Sequence, residues 1–116
     1  MRNLIKPLAT TLALGACGLA AAVPAGAAQR NHRVALHNIS VRPSTTRIHR
    51  GDTVTWVWGD KDIDAQHNVT SYGRLRFHSS STKLTGTYTV KFTKPGTYMF
   101  HCTIHPLAMV GRVVVS

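Results

Sequence analysis

The C-terminal part of the sequence places three metal-ligand side chains in the connection between two strand-like segments. Cys102, His105 and Met109 supply a thiolate, an imidazole and a thioether, and the strand-like run Val110–Ser116 follows them directly. A second imidazole, that of His67, lies upstream in a separate segment, which we expect to be a strand. A fold that uses all four ligands must therefore bring that segment against the last two strands.

A metal ion bound by these four side chains would have a defined chemistry. Two imidazoles, one thiolate and a weak axial thioether are the ligand set of a blue-copper electron-transfer site. Sulfur ligands favour Cu(I) and imidazoles suit both oxidation states, so the metal can cycle by one electron. Zinc also binds cysteine and histidine, but it has no use for the axial methionine. The sequence predicts one copper ion per chain, with the metal ligands His67, Cys102, His105 and Met109.

These residues and two further segments resemble the cupredoxins, in particular the small plastocyanin, pseudoazurin and amicyanin relatives of bacteria. The run Gly51–Trp56 resembles the strand that precedes the first histidine ligand in that family, and Phe92–Tyr98 resembles the turn into its cysteine-bearing strand. The resemblance extends from about Val34 to Ser116. It implies a cupredoxin-like fold, a type 1 copper centre and electron transfer.

One spacing differs from the family pattern. Plastocyanin-like members have four residues between the second histidine and the methionine, amicyanin-like members have two, and this chain has three, Pro106, Leu107 and Ala108. Met109 still lies directly before a Gly-x-Val-x-Val strand, where the methionine of the family lies. The difference therefore concerns the shape of the loop more than the identity of the ligand.

The sequence after residue 27 lacks a helical period and alternates like short strands. In the cysteine strand the period of two points Tyr98, Phe100 and Cys102 to the core and leaves Met99 and His101 outside. About seven or eight strands, each with one apolar face, indicate an all-β Greek-key sandwich. The best-defined strands are predicted at His32–Val41, Thr46–His49, Thr53–Trp58, Thr85–Thr93, Thr97–Cys102 and Met109–Ser116.

Residues beside the ligands have predicted supporting roles. Asn68 resembles the family residue that steadies the cysteine loop, although a plain turn residue is the alternative. Pro106 and Leu107 are expected to form an apolar collar around the exposed edge of His105, and this collar is the predicted electron port. His101 is either a second electron route or an ordinary exposed strand histidine.

The acidic cluster Asp60, Asp62 and Asp64 begins like a calcium loop. Ala65 and Ser71, however, replace the glycine and the glutamate that such a loop needs. We interpret the cluster as an acidic loop beside the first ligand.

The N-terminus is typical of an export signal. Arg2 and Lys6 precede the apolar run Leu8–Leu19, and the small residues of Ala25–Ala27 form a cleavage site. We predict a signal peptide at residues 1–27, a copper-binding domain at 28–116, and a periplasmic or extracellular location. The alternative is lipoprotein processing with acylation of Cys17, which would tether the domain to a membrane.

The charge of the predicted domain indicates its partners. Without Arg2 and Lys6 it has 12 basic and 4 acidic residues, a net charge of +8 with neutral histidines. Such a surface favours acidic redox proteins. Nucleic acid is not an expected partner, because the aromatic residues have core spacing rather than forming a stacking platform. A membrane is expected only if Cys17 is lipidated, and the domain is expected to be a monomer.

This ligand set fits three classes of copper protein: electron carriers, delivery or storage proteins, and copper enzymes. An electron carrier between extracytoplasmic redox partners is favoured, and copper delivery or storage is the alternative. Delivery sites are more often exposed and methionine-rich, whereas only Met99 and Met109 remain after residue 27. An enzyme is not expected, because copper oxidases and reductases need a second copper centre.

Overall fold

A computed structural model describes residues 28–60 and 65–116. The predicted signal peptide, including Cys17, lies outside the described residues, as do Asp62 and Asp64. Within the two described ranges, no helix is long and apolar enough to cross a membrane.

The described residues form eight strands, which confirms the predicted all-β architecture. In chain order they are β1 Asn31–Leu36, β2 Val41–Arg42, β3 Thr45–Ile48, β4 Thr53–Trp58, β5 Thr70–Tyr72, β6 Gly86–Lys91, β7 Gly96–His101 and β8 Val110–Val115.

The strands are arranged in two four-stranded sheets that enclose the core. One sheet has the order β2-β1-β4-β6 and the other β3-β8-β7-β5. The pairs β1–β4 and β3–β8 are parallel, and the remaining pairs are antiparallel. Parallel neighbours cannot be joined by a hairpin, so the chain crosses between the sheets, as in a sandwich.

The alternation of apolar side chains determines which face of each strand is buried. In β4 the side chains of Val54, Trp56 and Trp58 are buried, as their spacing predicts, and Thr55 and Val57 between them are half-buried. Trp56 is fully buried, and its ring lies 5.3 Å from those of both Phe77 and Phe100. These aromatic contacts join the two sheets and make a rigid support for the loops at their ends.

The single strand predicted at His32–Val41 was wrong. The chain turns at His37–Ser40, and β1 and β2 form a hairpin. His37 and Ser40 exchange two backbone hydrogen bonds of 3.2 and 3.1 Å. The turn forms because Asn38 and Ile39 have φ angles of 52° and 53°, which are incompatible with an extended strand.

His67 also lies differently from the prediction. It forms an isolated antiparallel bridge with Lys83, and β5 begins only at Thr70. The first ligand is therefore held by a short bridge at the end of the sandwich rather than by a continuous strand.

Candidate metal centre

The thiolate and the methionine lie at the facing ends of β7 and β8. Cys102 follows the last residue of β7, and Met109 precedes the first residue of β8. The backbone N–H of Cys102 donates to the carbonyl of Met109 over 2.9 Å, which continues the antiparallel ladder. The loop between them is therefore closed at its base, and its ends are fixed by the sheet.

The three-residue spacing before Met109 closes as one turn. The N–H of His105 donates to the carbonyl of Cys102 over 3.2 Å, and the N–H of Met109 donates to the carbonyl of His105 over 2.9 Å. Residues four apart in such a turn lie on the same side. Met109 is fully buried, within the apolar cluster that also contains Cys102. The unusual spacing is thus compatible with Met109 as the residue that would supply the fourth ligand.

The backbone of His67 is fixed on both sides. Its N–H and carbonyl each form a 2.9 Å hydrogen bond with Lys83. Its carbonyl also accepts a 2.8 Å hydrogen bond from the indole Nε1–H of Trp58, at the end of β4. Because the His67 side chain is fully buried, the imidazole has little freedom to move.

Three of the predicted ligand atoms converge. The Sγ atom of Cys102 lies 4.0 Å from Nδ1 of His67 and 3.9 Å from Nδ1 of His105, and the three ligand atoms all lie within 4.8 Å of one another. A first-row metal lies about 2.0 to 2.3 Å from such nitrogen and sulfur donors, so one ion could contact the Cys102 sulfur together with either imidazole nitrogen. Buried thiolate and imidazole donors in this arrangement fit copper.

Asn68 links the two ligand-bearing segments. Its Oδ1 accepts a 3.0 Å hydrogen bond from the backbone N–H of Thr103, and its Nδ2 donates over 2.7 Å to the hydroxyl of Thr103. Nδ2 also donates to Thr82 over 3.1 Å. The residue after His67 therefore holds the residue after Cys102, which is the arrangement expected of a side chain that steadies the cysteine loop.

Asp60 is a site residue that the sequence analysis missed. Its carboxylate is buried, and Oδ2 lies 2.6 Å from Nε2 of His67. The backbone N–H of Asn38 donates to Oδ1 over 2.7 Å. Burial acts to raise the pKa of Asp60, but the hydrogen bonds from Asn38 and His67 outweigh it and lower the pKa below its ordinary value. Because Nε2 of His67 faces this carboxylate, Nδ1 is left for the metal.

The predicted collar around His105 is exposed and apolar. Leu107 is 96% exposed, Pro106 is exposed, and His105 itself is half-buried. Ile104, which the sequence analysis did not include, is 49% exposed and extends the same surface. Ile104 lies in a loop, where the sequence has no strand alternation from which its exposure could be predicted. The structure was needed to add it to the patch.

His101 lies on the outer face of β7, as the period of two predicts. Its ring is half-buried and lies 4.5 Å from that of Tyr72 on the neighbouring strand β5. Within residues 28–60 and 65–116, the group formed by His67, Cys102 and His105 is the one cluster of such side chains that could hold a metal.

Comparison with known proteins supports the copper centre. A sequence model described as copper binding proteins of the plastocyanin/azurin family matches residues 28–116. Amicyanin-alpha of Methylorubrum extorquens is 31% identical over 120 residues, covering 97% of this chain and all of that protein. Amicyanin of Paracoccus denitrificans is 39% identical over 67 residues, or 57% of this chain, and that match spans half of its own length.

Solved structures agree with the sequence matches. A pseudoazurin from Sinorhizobium has a TM-score of 0.63 and 28% identity, over 75% of this chain and 74% of its own. The predicted cupredoxin fold and the predicted copper cofactor are both confirmed. The chain belongs to the plastocyanin/azurin family of copper-binding proteins, with His67, Cys102, His105 and Met109 positioned as its copper site.

Proposed function

We propose that the chain is a type 1 copper electron carrier that passes one electron at a time between extracytoplasmic redox partners. The observation that carries the proposal is the burial of the ligand set. His67 and Cys102 are enclosed, while His105 reaches the surface in the middle of an apolar patch. Bound copper supplies a one-electron couple between Cu(I) and Cu(II).

The residues around the ligands favour fast electron transfer by limiting movement. The bridge from His67 to Lys83 and the ladder bond from Cys102 to Met109 fix the backbone on both sides of the site. Asn68 joins these two segments through Thr103. Ligands that keep one geometry in both oxidation states leave little rearrangement to accompany the electron.

The apolar patch of Ile104, Pro106 and Leu107 is the proposed contact with the partner. A contiguous patch of exposed apolar side chains with polar surroundings often marks a protein–protein interaction site. A partner that covers Leu107 would exclude water from the edge of His105 and shorten the path to the thiolate. The patch carries no charge of its own, so selection of an acidic partner would depend on the basic surface around it.

The extracytoplasmic location is part of the proposal and is supported by the pattern of residues 1–27. A positive start, an apolar run and a small-residue cleavage site are typical of export. Copper delivery is the alternative function. The enclosed ligands count against it, because a metal that must leave the site needs ligands that open to solvent or to the acceptor.

The two functions separate in one experiment. The reduced, copper-loaded protein is mixed with an acidic redox protein that carries its own cofactor, and both the electron and the copper are followed. An electron carrier becomes oxidised at the rate at which the acceptor is reduced, and its copper remains bound to it as Cu(II). Transfer of the copper itself, without reduction of the acceptor's cofactor, would contradict the proposed function and favour delivery.

A further inference from the structure

The turn at His37–Ser40 has a backbone conformation that its residues do not favour. Asn38 and Ile39 are consecutive and both have positive φ. Asparagine tolerates this region, but it is strongly unfavourable for a β-branched residue such as isoleucine. The Ile39 side chain is 40% exposed, so burial of that side chain does not explain the conformation. Such strain persists only where contacts with the rest of the protein impose it, and it is often found at functional sites.

What the turn holds is the carboxylate of Asp60. The N–H of Asn38 donates to Oδ1 over 2.7 Å, and Ile39 is the next residue of the same turn. Successive backbone N–H groups in such a turn form a concave site for an anion. Here the anion is the chain's own carboxylate.

The second oxygen of the same carboxylate faces the copper ligand. Oδ2 of Asp60 lies 2.6 Å from Nε2 of His67, and both side chains are at most 1% exposed. Gly59 brings this segment close to the turn, because its N–H donates to the carbonyl of Leu36 over 2.9 Å. The strained turn, the carboxylate and the imidazole therefore form one continuous chain of contacts that ends at the predicted ligand His67.

We propose that Asp60, locked by the turn at His37–Ser40, is a positioning residue that fixes His67 as an Nδ1 ligand and lowers the reduction potential of the copper. A carboxylate hydrogen-bonded to a ligating imidazole fixes its tautomer and makes it a stronger donor. A fixed negative charge in a buried site also favours Cu(II) over Cu(I). The inference rests on the proposed redox function of this site, but it concerns the potential and requires no partner.

The chain contains a matched control at the opposite end of β4. Asp52 is also buried, and it accepts hydrogen bonds from the backbone N–H of Arg30 and from Nε2 of His32, both over 3.0 Å. Asp52 and Asp60 flank the two ends of β4, and each binds one histidine and the backbone beside β1. His32 is not a metal ligand. A substitution of Asp52 therefore shows the effect of losing a buried carboxylate that does not contact the copper site.

The test is the reduction potential of the Asp60→Asn protein at an electrode. Asparagine keeps the size of the side chain but removes the charge and one acceptor. Loss of such a partner alters metal affinity about tenfold or more. A tenfold fall in the ratio of Cu(II) to Cu(I) affinity corresponds to a rise of about 59 mV for one electron. Because the lost charge favours Cu(II), we expect a rise of about that size for Asp60→Asn and no shift for Asp52→Asn.

A second variant keeps the inference testable if Asp60→Asn does not fold or does not bind copper. Nε2 of His37 lies 4.0 Å from Oδ1 of Asp60 on a side chain that is more than half exposed. His37→Arg places a permanent positive charge there and should raise the potential by a smaller amount. His49→Arg, an exposed substitution beside Asp52, should leave it unchanged.

The tautomer is checked separately in the metal-free, ¹⁵N-labelled protein. A protected proton on Nε2 of His67 that is lost in Asp60→Asn would support the positioning role. Unchanged potentials in Asp60→Asn and His37→Arg, or a His67 proton on Nδ1, would overturn it. Because the electrode replaces the partner, this result is independent of whether the protein exchanges electrons with an acidic acceptor.

Discussion

At the residue scale, two side chains beside the copper ligands hold them in place: Asn68 bonds to Thr103 next to Cys102, and Asp60 faces the imidazole of His67. His67, Cys102, His105 and Met109 are recognisable from ligand type and local spacing, which the printed sequence contains. Asp60 has no such signal, because its burial depends on a turn that is distant in the chain. An aspartate in an acidic run is normally a solvated loop residue, and only the contact with Asn38 removes this one from water.

The role of Met109 as a weak ligand can be tested by substitution. Met109→Leu should keep copper bound, because two imidazoles and a thiolate remain, and it should raise the reduction potential because a weak donor to Cu(II) is lost. Voltammetry of the variant measures the shift. Met99→Leu, on the outer face of β7, is the matched control and should not change the potential. Loss of copper from Met109→Leu would contradict a weak axial role.

At the scale of the elements, the strands with a clean period of two were predicted correctly. The prediction succeeded for β4, β7 and β8, where every second side chain is buried. It failed at His37–Ser40, because that turn binds the carboxylate of Asp60, which lies more than twenty residues further along the chain. It also misplaced the strand expected at His67, because β5 begins only at Thr70 and His67 forms an isolated bridge with Lys83.

Asp52 connects two elements, because its carboxylate accepts hydrogen bonds both at the start of β1 and in the turn between β3 and β4. Hydrogen bonds from the N–H of Arg30, from His32 and from the N–H of His49 lower the pKa of Asp52 to about 2. A lowered pKa in the folded state stabilises the fold above the unfolded pKa near 3.8, and that contribution disappears as the pH falls through about 2.

The metal-free protein should therefore lose unfolding free energy between about pH 4 and pH 2. Asp52→Asn should be less stable than the wild type at pH 7, and the difference should shrink on acidification over that range. Denaturant titrations of both proteins at several pH values measure it. A stability difference that does not depend on pH would show that the Asp52 charge contributes nothing.

At the scale of the whole molecule, the sandwich presents a basic surface around an uncharged electron port. The net charge of +8 over residues 28–116 follows from the sequence, whereas the apolar patch required the structure to add Ile104 to Pro106 and Leu107. Steering by such a charge should raise the rate of association with an acidic partner roughly ten- to a thousand-fold at low salt. At physiological ionic strength the field extends only about 8 Å, so the rate should fall steeply as salt is added.

Substitution of two exposed leucines separates the effect of docking at the patch from the effect of the overall charge. Leu107→Glu should slow electron transfer to an acidic redox protein without changing the copper spectrum. Leu75→Glu adds the same charge to an exposed leucine that packs near Gly96, at the start of β7 and away from the site. Stopped-flow rates should fall further for Leu107→Glu than for Leu75→Glu. Equal rates in the two variants, or no dependence on salt, would place the docking surface elsewhere, with His101 the next position to test.

The absorption spectrum of the oxidised, copper-loaded protein tests the central claim most directly. If Cys102, His67 and His105 bind copper as a type 1 site, the spectrum contains an intense visible band from thiolate-to-copper charge transfer. Cys102→Ser should remove that band, because the sulfur is the electron donor in the transition. A protein that binds Cu(II) and shows only weak ligand-field bands would contradict the account.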